Sequence, residues 1–202
     1  CGRWTPRGRD RWPSRRPAAQ LMTNERAQNA YQPVYPAAAP GRLWVRATVA
    51  DQLTRAQAAL PAGYGLAVFD AWRPLGPQQA LYDDAYANPN LPEGFVAPPS
   101  TDPAFPPPHL TGGAVDVTLT WRGRPLALGS AFDDFTDAAH TAALETTPGR
   151  ARGLRRLLHW CLTNHSFVNH PQEWWHWEWG TGIWAAAVGH PPLYGPAAPG
   201  SR

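Results

Sequence analysis

The chain has 202 residues, of which 43% are hydrophobic, enough to enclose one ordinary core but too few for a second. Its formal net charge is only +3, and much of the positive charge lies within residues 1–16, which argues against a nucleic-acid-binding domain. No stretch approaches the roughly 18 consecutive apolar residues that a membrane-spanning helix needs.

The composition predicts one domain with two irregular ends. Residues 1–21 are rich in Arg and Pro, which is typical of a disordered extension, and residues 196–202 are expected to form a flexible tail. The folded domain is therefore expected over residues 22–195. Two cysteines cannot build a dense disulfide framework, and Cys161 lies in an apolar run that predicts a buried, inert thiol.

The first half of the domain is predicted to contain two helices, one strand and a long loop. Residues 46–60 carry apolar side chains at steps of three and four, which indicates an amphipathic helix. Residues 64–71 predict a strand, and residues 78–86 predict a second helix. Residues 88–108 are rich in Pro, Asn and Ser and predict a loop that runs into His109. Loops of this length are often functional.

The second half of the domain supplies the remaining strands and the clearest helix. Residues 114–119 alternate, so that Asp116 leaves the apolar face of a predicted strand. Residues 150–164 carry a leucine-rich stripe that indicates a helix, and residues 166–170 and 174–179 predict a pair of strands. Helices and strands in mixed order, with short connections between adjacent strands, predict an α+β domain with a mainly antiparallel sheet flanked by helices.

Two distant segments supply metal-ligand side chains. His109 and Asp116 stand on either side of Gly112-Gly113, which permits a sharp reversal, and the acid-flanked His176 follows far along the chain. Two imidazoles and a carboxylate are the ligands of a catalytic zinc ion, which keeps its fourth position for water. The other histidines are interpreted as ordinary surface or core-polar residues: His140, His159, His165, His170 and His190.

Glu173 and His176 raise a geometric question, because positions i and i+3 of a strand point to opposite faces. One of the two must leave the strand, and a turn at Pro171-Gln172 would let Glu173 swing toward the metal. Glu178 is the rival, since it shares a strand face with His176 and is a candidate base or ligand on geometry alone.

These motifs resemble those of a known family. His109-x-x-Gly-x-Ala-x-Asp116 followed by Glu173-Trp-Trp-His176 is similar to the zinc D-alanyl-D-alanine dipeptidases, relatives of the D,D-carboxypeptidases and Hedgehog-type domains. The segment Asp70-Ala-Trp-Arg73-Pro is closer to the dipeptidase branch than to the wider superfamily. The resemblance spans about residues 45–184 and implies a domain of the Hedgehog/D,D-peptidase type.

The resemblance also implies a role for each motif residue. His109, Asp116 and His176 would bind one Zn²⁺ per chain, Glu173 would be the general base, and Arg73 would stabilise the transition state. Residues 128–133 are similar to a Met-Gly-x-x-Phe-Asp segment of the family, so Asp133 would receive the ammonium group of the substrate.

Two departures from the family pattern concern substrate binding. Pro107 replaces a serine that helps to hold substrate in the family, which puts the substrate range in question. The N-terminal segment that closes the dipeptide pocket is hard to identify, unless residues 29–35 take its place.

The resemblance implies hydrolysis of a small peptide, D-Ala-D-Ala, by metal-activated water. A D,D-carboxypeptidase or peptidoglycan endopeptidase on the same scaffold is the alternative enzyme, and a non-catalytic zinc-binding module is the alternative of another class. Glu173 and Arg73 argue against the module, because a non-catalytic site needs neither. We expect a bacterial protein of the cytoplasm or the cell envelope, and a lipoprotein if Cys1 is the mature N-terminus. The sequence leaves the oligomeric state open.

Overall fold

The computed structural model describes residues 29–31, 33–35 and 39–197. The predicted extension, residues 1–21, and residues 198–202 of the predicted tail lie outside the described residues, so the domain boundaries stay a prediction. At the start of that tail, the backbone N–H of Ala197 donates to the carbonyl of Leu110 over 3.1 Å. The carbonyl of Ala197 accepts a hydrogen bond of 2.6 Å from the indole of Trp72.

The described residues form helices and strands in mixed order. The α-helices are α1 (Ala47–Ala59), α2 (Leu75–Tyr86), α3 (Arg150–Thr163) and α4 (Gly182–Val188). The strands are β1 (Tyr64–Asp70), β2 (Ala114–Trp121), β3 (Arg124–Pro125), β4 (Val168–Asn169) and β5 (His176–Glu178). Two short 3-10 helices cover Pro108–Thr111 and Asp137–Ala139.

The strands form one antiparallel sheet in the order β1-β2-β5-β4, with β3 paired to the far end of β2. The β2–β3 turn has positive φ at both Arg122 (49°) and Gly123 (77°), the backbone that a tight two-residue hairpin requires. The predicted α+β class with a mainly antiparallel sheet is therefore confirmed.

The main core lies between the sheet and helices α1 and α3. Val49 and Leu53 of α1 and Leu158 of α3 pack in one buried cluster with Val117 of β2. This is the apolar stripe that the spacing in residues 46–60 and 150–164 predicts. Cys161 of α3 is fully buried in the same cluster, and burial raises the pKa of its thiol to about 11, in agreement with an inert cysteine.

Several elements of the structure differ from the sequence prediction. Helix α2 begins at Leu75, one turn before the predicted start, because Pro74 has the extended backbone of an N-cap residue. Helix α4 and the short strand β3 were not predicted, and β2 extends two residues beyond the predicted strand at 114–119. The two predicted strands at residues 166–170 and 174–179 are shorter than expected, because residues 171–175 form turns between β4 and β5.

No helix of the described residues has the length and apolar character needed to cross a membrane.

Candidate metal centre and active-site cavity

Three predicted ligands converge at one end of the sheet. Asp116 of β2 and His176 of β5 are paired in register, and His109 comes from the 3-10 helix before β2. His109 Nε2 lies 3.1 Å from His176 Nδ1, which lies 3.1 Å from Asp116 Oδ1. One ligand atom from each residue falls within 4.8 Å of the others, and all three residues are buried. The arrangement can hold one metal ion.

The second nitrogen of each imidazole is engaged elsewhere, and this leaves the converging nitrogens for a metal. His109 Nδ1 donates to the carbonyl of Ala71 over 2.6 Å, and His176 Nε2 donates to Glu178 Oε1 over 3.1 Å. Outer partners of this kind orient metal-binding imidazoles and set their tautomers. Burial raises the pKa of Glu178, but the hydrogen bonds from His176 and Thr181, together with the charges of His176 and His109, lower it overall. The donor set therefore fits Zn²⁺, which accepts imidazole and carboxylate ligands.

The backbone between His109 and Asp116 needs its two glycines. Gly112 ends the 3-10 helix with a φ of 72°, a conformation that is unfavourable for residues with a Cβ. A Cβ on Gly113 would come within 2.7 Å of the carbonyl oxygen of Trp179. The reversal predicted from the Gly-Gly pair is present, and it lets His109 approach Asp116 to 3.4 Å between Nε2 and Oδ2.

Glu173 lies beside the ligands but outside the strand. It belongs to the turn before β5, and its Oε2 lies 3.8 Å from His176 Nδ1. Burial raises the pKa of Glu173 to about 8, against the opposing charge of His176. A carboxyl group in this state can accept and return a proton near neutral pH. Glu178 is hydrogen-bonded to Nε2 of His176, the nitrogen on the side of the ring away from the ligand set. The geometry therefore favours Glu173 over Glu178 as the base.

Arg73 stands at the end of β1, where it is held in place by polar neighbours. Its Nε donates to Asp70 Oδ2 over 2.8 Å, and its Nη1 donates to Gln78 Oε1 over 3.0 Å. Its Nη2 lies 3.6 Å from Asp116 Oδ2, beside the ligand set. A fixed guanidinium at this position can stabilise negative charge that develops near the metal.

Asp133 and Tyr31 form the polar wall next to Arg73. Burial raises the pKa of Asp133 to about 7, with a further contribution from the charge of Asp116, and a hydrogen bond with Tyr31 opposes the increase. The guanidinium of Arg73 lies 4.4 Å from the centre of the Tyr31 ring. Tyr31 belongs to the 29–35 segment considered as a pocket closure, but nothing in the sequence singled it out as a site residue.

The loop that carries Asp133 is held by a buried arginine that no sequence pattern singled out. Arg155 of α3 donates to the carbonyls of Leu128, Ala138 and His140, each over 2.7 Å. Asp133 itself has a φ of 56°, which is uncommon for a residue other than glycine. A residue keeps such a conformation only where the surrounding structure stabilises it. Arg155 does so by binding carbonyls on both sides of Asp133.

The site residues surround a cavity of about 230 Å³. All six residues predicted for the site line it: Arg73, His109, Asp116, Asp133, Glu173 and His176. Its apolar wall comes from Leu81 of α2, from Phe95 and Val96 of the long loop, and from Phe135. The long loop therefore contributes to the wall of the cavity.

Comparison with known proteins places the chain in a family. The family model described as Peptidase_M15, D-ala-D-ala dipeptidase, matches residues 24–187. The chain belongs to the M15 peptidase family. M15 is a family of zinc metallopeptidases, and the His109, Asp116 and His176 cluster of this M15 peptidase could hold such a metal.

Two curated relatives carry the same description. This M15 peptidase is 29% identical over 166 residues to a D-alanyl-D-alanine dipeptidase of Synechocystis sp., a match that covers 67% of each chain. It is 30% identical over 150 residues to a D-alanyl-D-alanine dipeptidase of Enterococcus faecium, a match that covers 64% of this chain and 69% of the relative. The predicted family and the predicted class of enzyme are confirmed.

Proposed function

We propose that the protein is a zinc-dependent dipeptidase whose substrate is D-Ala-D-Ala. The observation that carries this proposal is that the metal-ligand set, Glu173 and Asp133 all face one small cavity. Its volume of about 230 Å³ lies below the ~300–1,000 Å³ of sites for drug-sized ligands, as a substrate of two small residues would require. The names of the two relatives support the same substrate.

The residues divide the chemistry among them. Zn²⁺ held by His109, Asp116 and His176 would supply Lewis acidity, which polarises the scissile carbonyl and acidifies water. Glu173 accepts the proton from the attacking water and returns it to the nitrogen of the leaving residue as the C–N bond breaks.

Arg73 and Asp133 bind the charged parts of the substrate. The guanidinium of Arg73 faces the carbonyl oxygen as negative charge develops on it, and its bonds to Asp70 and Gln78 hold it there without reorganisation. Asp133 pairs with the ammonium group of the N-terminal residue, and Tyr31 orients the carboxylate of Asp133. A buried carboxylate without its cationic partner costs several kcal/mol, so a substrate with a blocked N-terminus is disfavoured.

The experiment compares D-Ala-D-Ala, L-Ala-L-Ala and a pentapeptide ending in D-Ala-D-Ala, with and without a chelator. We expect chelator-sensitive cleavage of D-Ala-D-Ala, with much slower cleavage of the pentapeptide, whose amide would occupy the ammonium position beside Asp133. Cleavage of the pentapeptide at least as fast as the dipeptide would favour a D,D-carboxypeptidase or endopeptidase. A zinc-loaded protein that cleaves none of the three would favour a binding module.

A further inference from the structure

Four polar side chains form one row across the sheet. Asp70 of β1 is paired with Asp116 of β2, which is paired with His176 of β5. The pairing of β5 with β4 continues to His170, whose backbone N–H donates to the carbonyl of His176 over 3.0 Å. Residues paired across neighbouring strands point to the same face, so His170 follows the metal-ligand positions on their own face. The His170 and His176 rings lie 5.7 Å apart between centres.

His170 lines the cavity but takes no part in the chemistry described above. Its Nδ1 is buried without a hydrogen-bond partner among the described residues. Most buried polar groups in proteins have a partner, and an unpaired one costs free energy. The nearby carboxylate of Glu178 is already engaged, because one of its oxygens accepts from His176 and the other accepts from Thr181. The imidazole of His170 therefore remains to meet a ligand.

The two ends of the row offer different side chains to the two ends of a peptide substrate. At the β1 end, the carboxyl group of Asp133 and the phenol of Tyr31 form the polar wall beside Arg73. The metal ligands occupy the middle of the row, and His170 stands one strand spacing beyond His176, about 4.8 Å. An extended dipeptide spans roughly 7 Å, so a substrate with its ammonium at Asp133 and its scissile bond at the metal directs its other end toward β4.

We propose that His170 binds the terminal carboxylate of the peptide substrate through an imidazole N–H, and that it selects substrates whose second residue is the last. The inference rests on the proposed function, because it takes the orientation of the substrate from the ammonium position at Asp133. It assigns a polar role in the cavity to a histidine that the sequence places among ordinary ones.

The test compares D-Ala-D-Ala with its C-terminal amide, which lacks the terminal charge. In the zinc-loaded His170→Phe protein we expect KM for the free acid to rise about 10- to 100-fold, because a hydrogen bond to a charged group is lost. KM for the amide and kcat for both compounds should change little. His170→Asn retains an N–H near the position of Nδ1 and should recover part of the preference for the acid.

The matched control is His159→Phe, which changes an exposed histidine that does not line the cavity. This variant should keep the wild-type ratio of kcat/KM between acid and amide. The amide also serves as an internal control, because damage to the fold would impair both compounds equally.

Two outcomes would overturn the inference in different ways. An unchanged acid-to-amide ratio in His170→Phe, or an equal loss for both compounds in both His170 variants, would remove the carboxylate role while leaving the dipeptidase activity intact. Wild-type protein that cleaves neither compound would contradict the proposed function itself, and the inference with it.

Discussion

Replacing Glu178 with leucine should weaken zinc binding by about 10- to 100-fold, the usual cost of losing an outer partner of a metal-binding histidine. Glu178 is only 1% exposed, and its Oε1 accepts a hydrogen bond of 3.1 Å from His176 Nε2. The hydroxyl of Thr181 donates to its other oxygen. Together these contacts direct His176 Nδ1 toward His109 and Asp116.

The expected loss of zinc affinity follows from the His176 N–H that the substitution leaves without an acceptor. Leucine cannot accept the N–H of His176, and a buried donor without a partner costs about 1–3 kcal/mol. If the orientation of His176 that binds metal loses this much free energy, zinc binding weakens by about the 10- to 100-fold expected above. Glu178→Gln keeps an acceptor oxygen for His176, and the Thr181 hydroxyl can accept from the new amide. The glutamine variant should therefore lose less than tenfold and keep its activity.

The assay is competition for zinc between the metal-free protein and a chromophoric chelator. Glu145→Leu is the control, because Glu145 is an exposed acid that pairs with Arg156 far from the ligand set in the sequence and outside the cavity lining. An unchanged zinc affinity in Glu178→Leu would refute the reasoning, since His176 would then hold its orientation without Glu178. Equal losses in the leucine and glutamine variants would assign the effect to charge instead of to the acceptor oxygen.

Three further predictions concern the base, the ammonium position and the loop that carries Asp133. Glu173→Gln should keep a full equivalent of zinc by metal analysis but lose about 10²–10⁴-fold in kcat, because an amide cannot accept the proton. Undiminished turnover would exclude Glu173 as the base. Asp133→Asn should raise KM for free D-Ala-D-Ala and narrow its advantage over the N-acetylated compound, and equal wild-type rates for the two compounds would contradict the ammonium role. Arg155→Met leaves the carbonyls of Leu128, Ala138 and His140 without their donor and should lower the free energy of unfolding by about 3 kcal/mol or more in chemical denaturation. A variant as stable as the wild type would show that the arginine does not hold this loop.

Much of the fold and of the ligand set could be predicted because the signals are local. The spacing of apolar residues in 46–60 and 150–164 predicts α1 and α3, since a helix that buries one face must repeat with the period of its turn. His109 and Asp116 lie within seven residues of each other across a Gly-Gly reversal, so their approach depends on short-range geometry. Pro171 and Gln172 likewise place Glu173 in a turn before β5.

Other features of the site depend on contacts between segments that are far apart in the chain. The sequence contained Glu178 and His170, but only the register of β2, β5 and β4 shows that one orients His176 and that the other joins the row of metal-binding positions. Tyr31 meets Arg73 and Asp133 across long separations, and Arg155 closes a loop that begins 27 residues earlier. No local pattern records which strands will pair or which loop will cover a cavity, because these choices depend on the packing of the whole domain. The sequence by itself therefore determined the chemistry that is present, and the tertiary structure decided which atoms of each side chain face the metal, the substrate or one another.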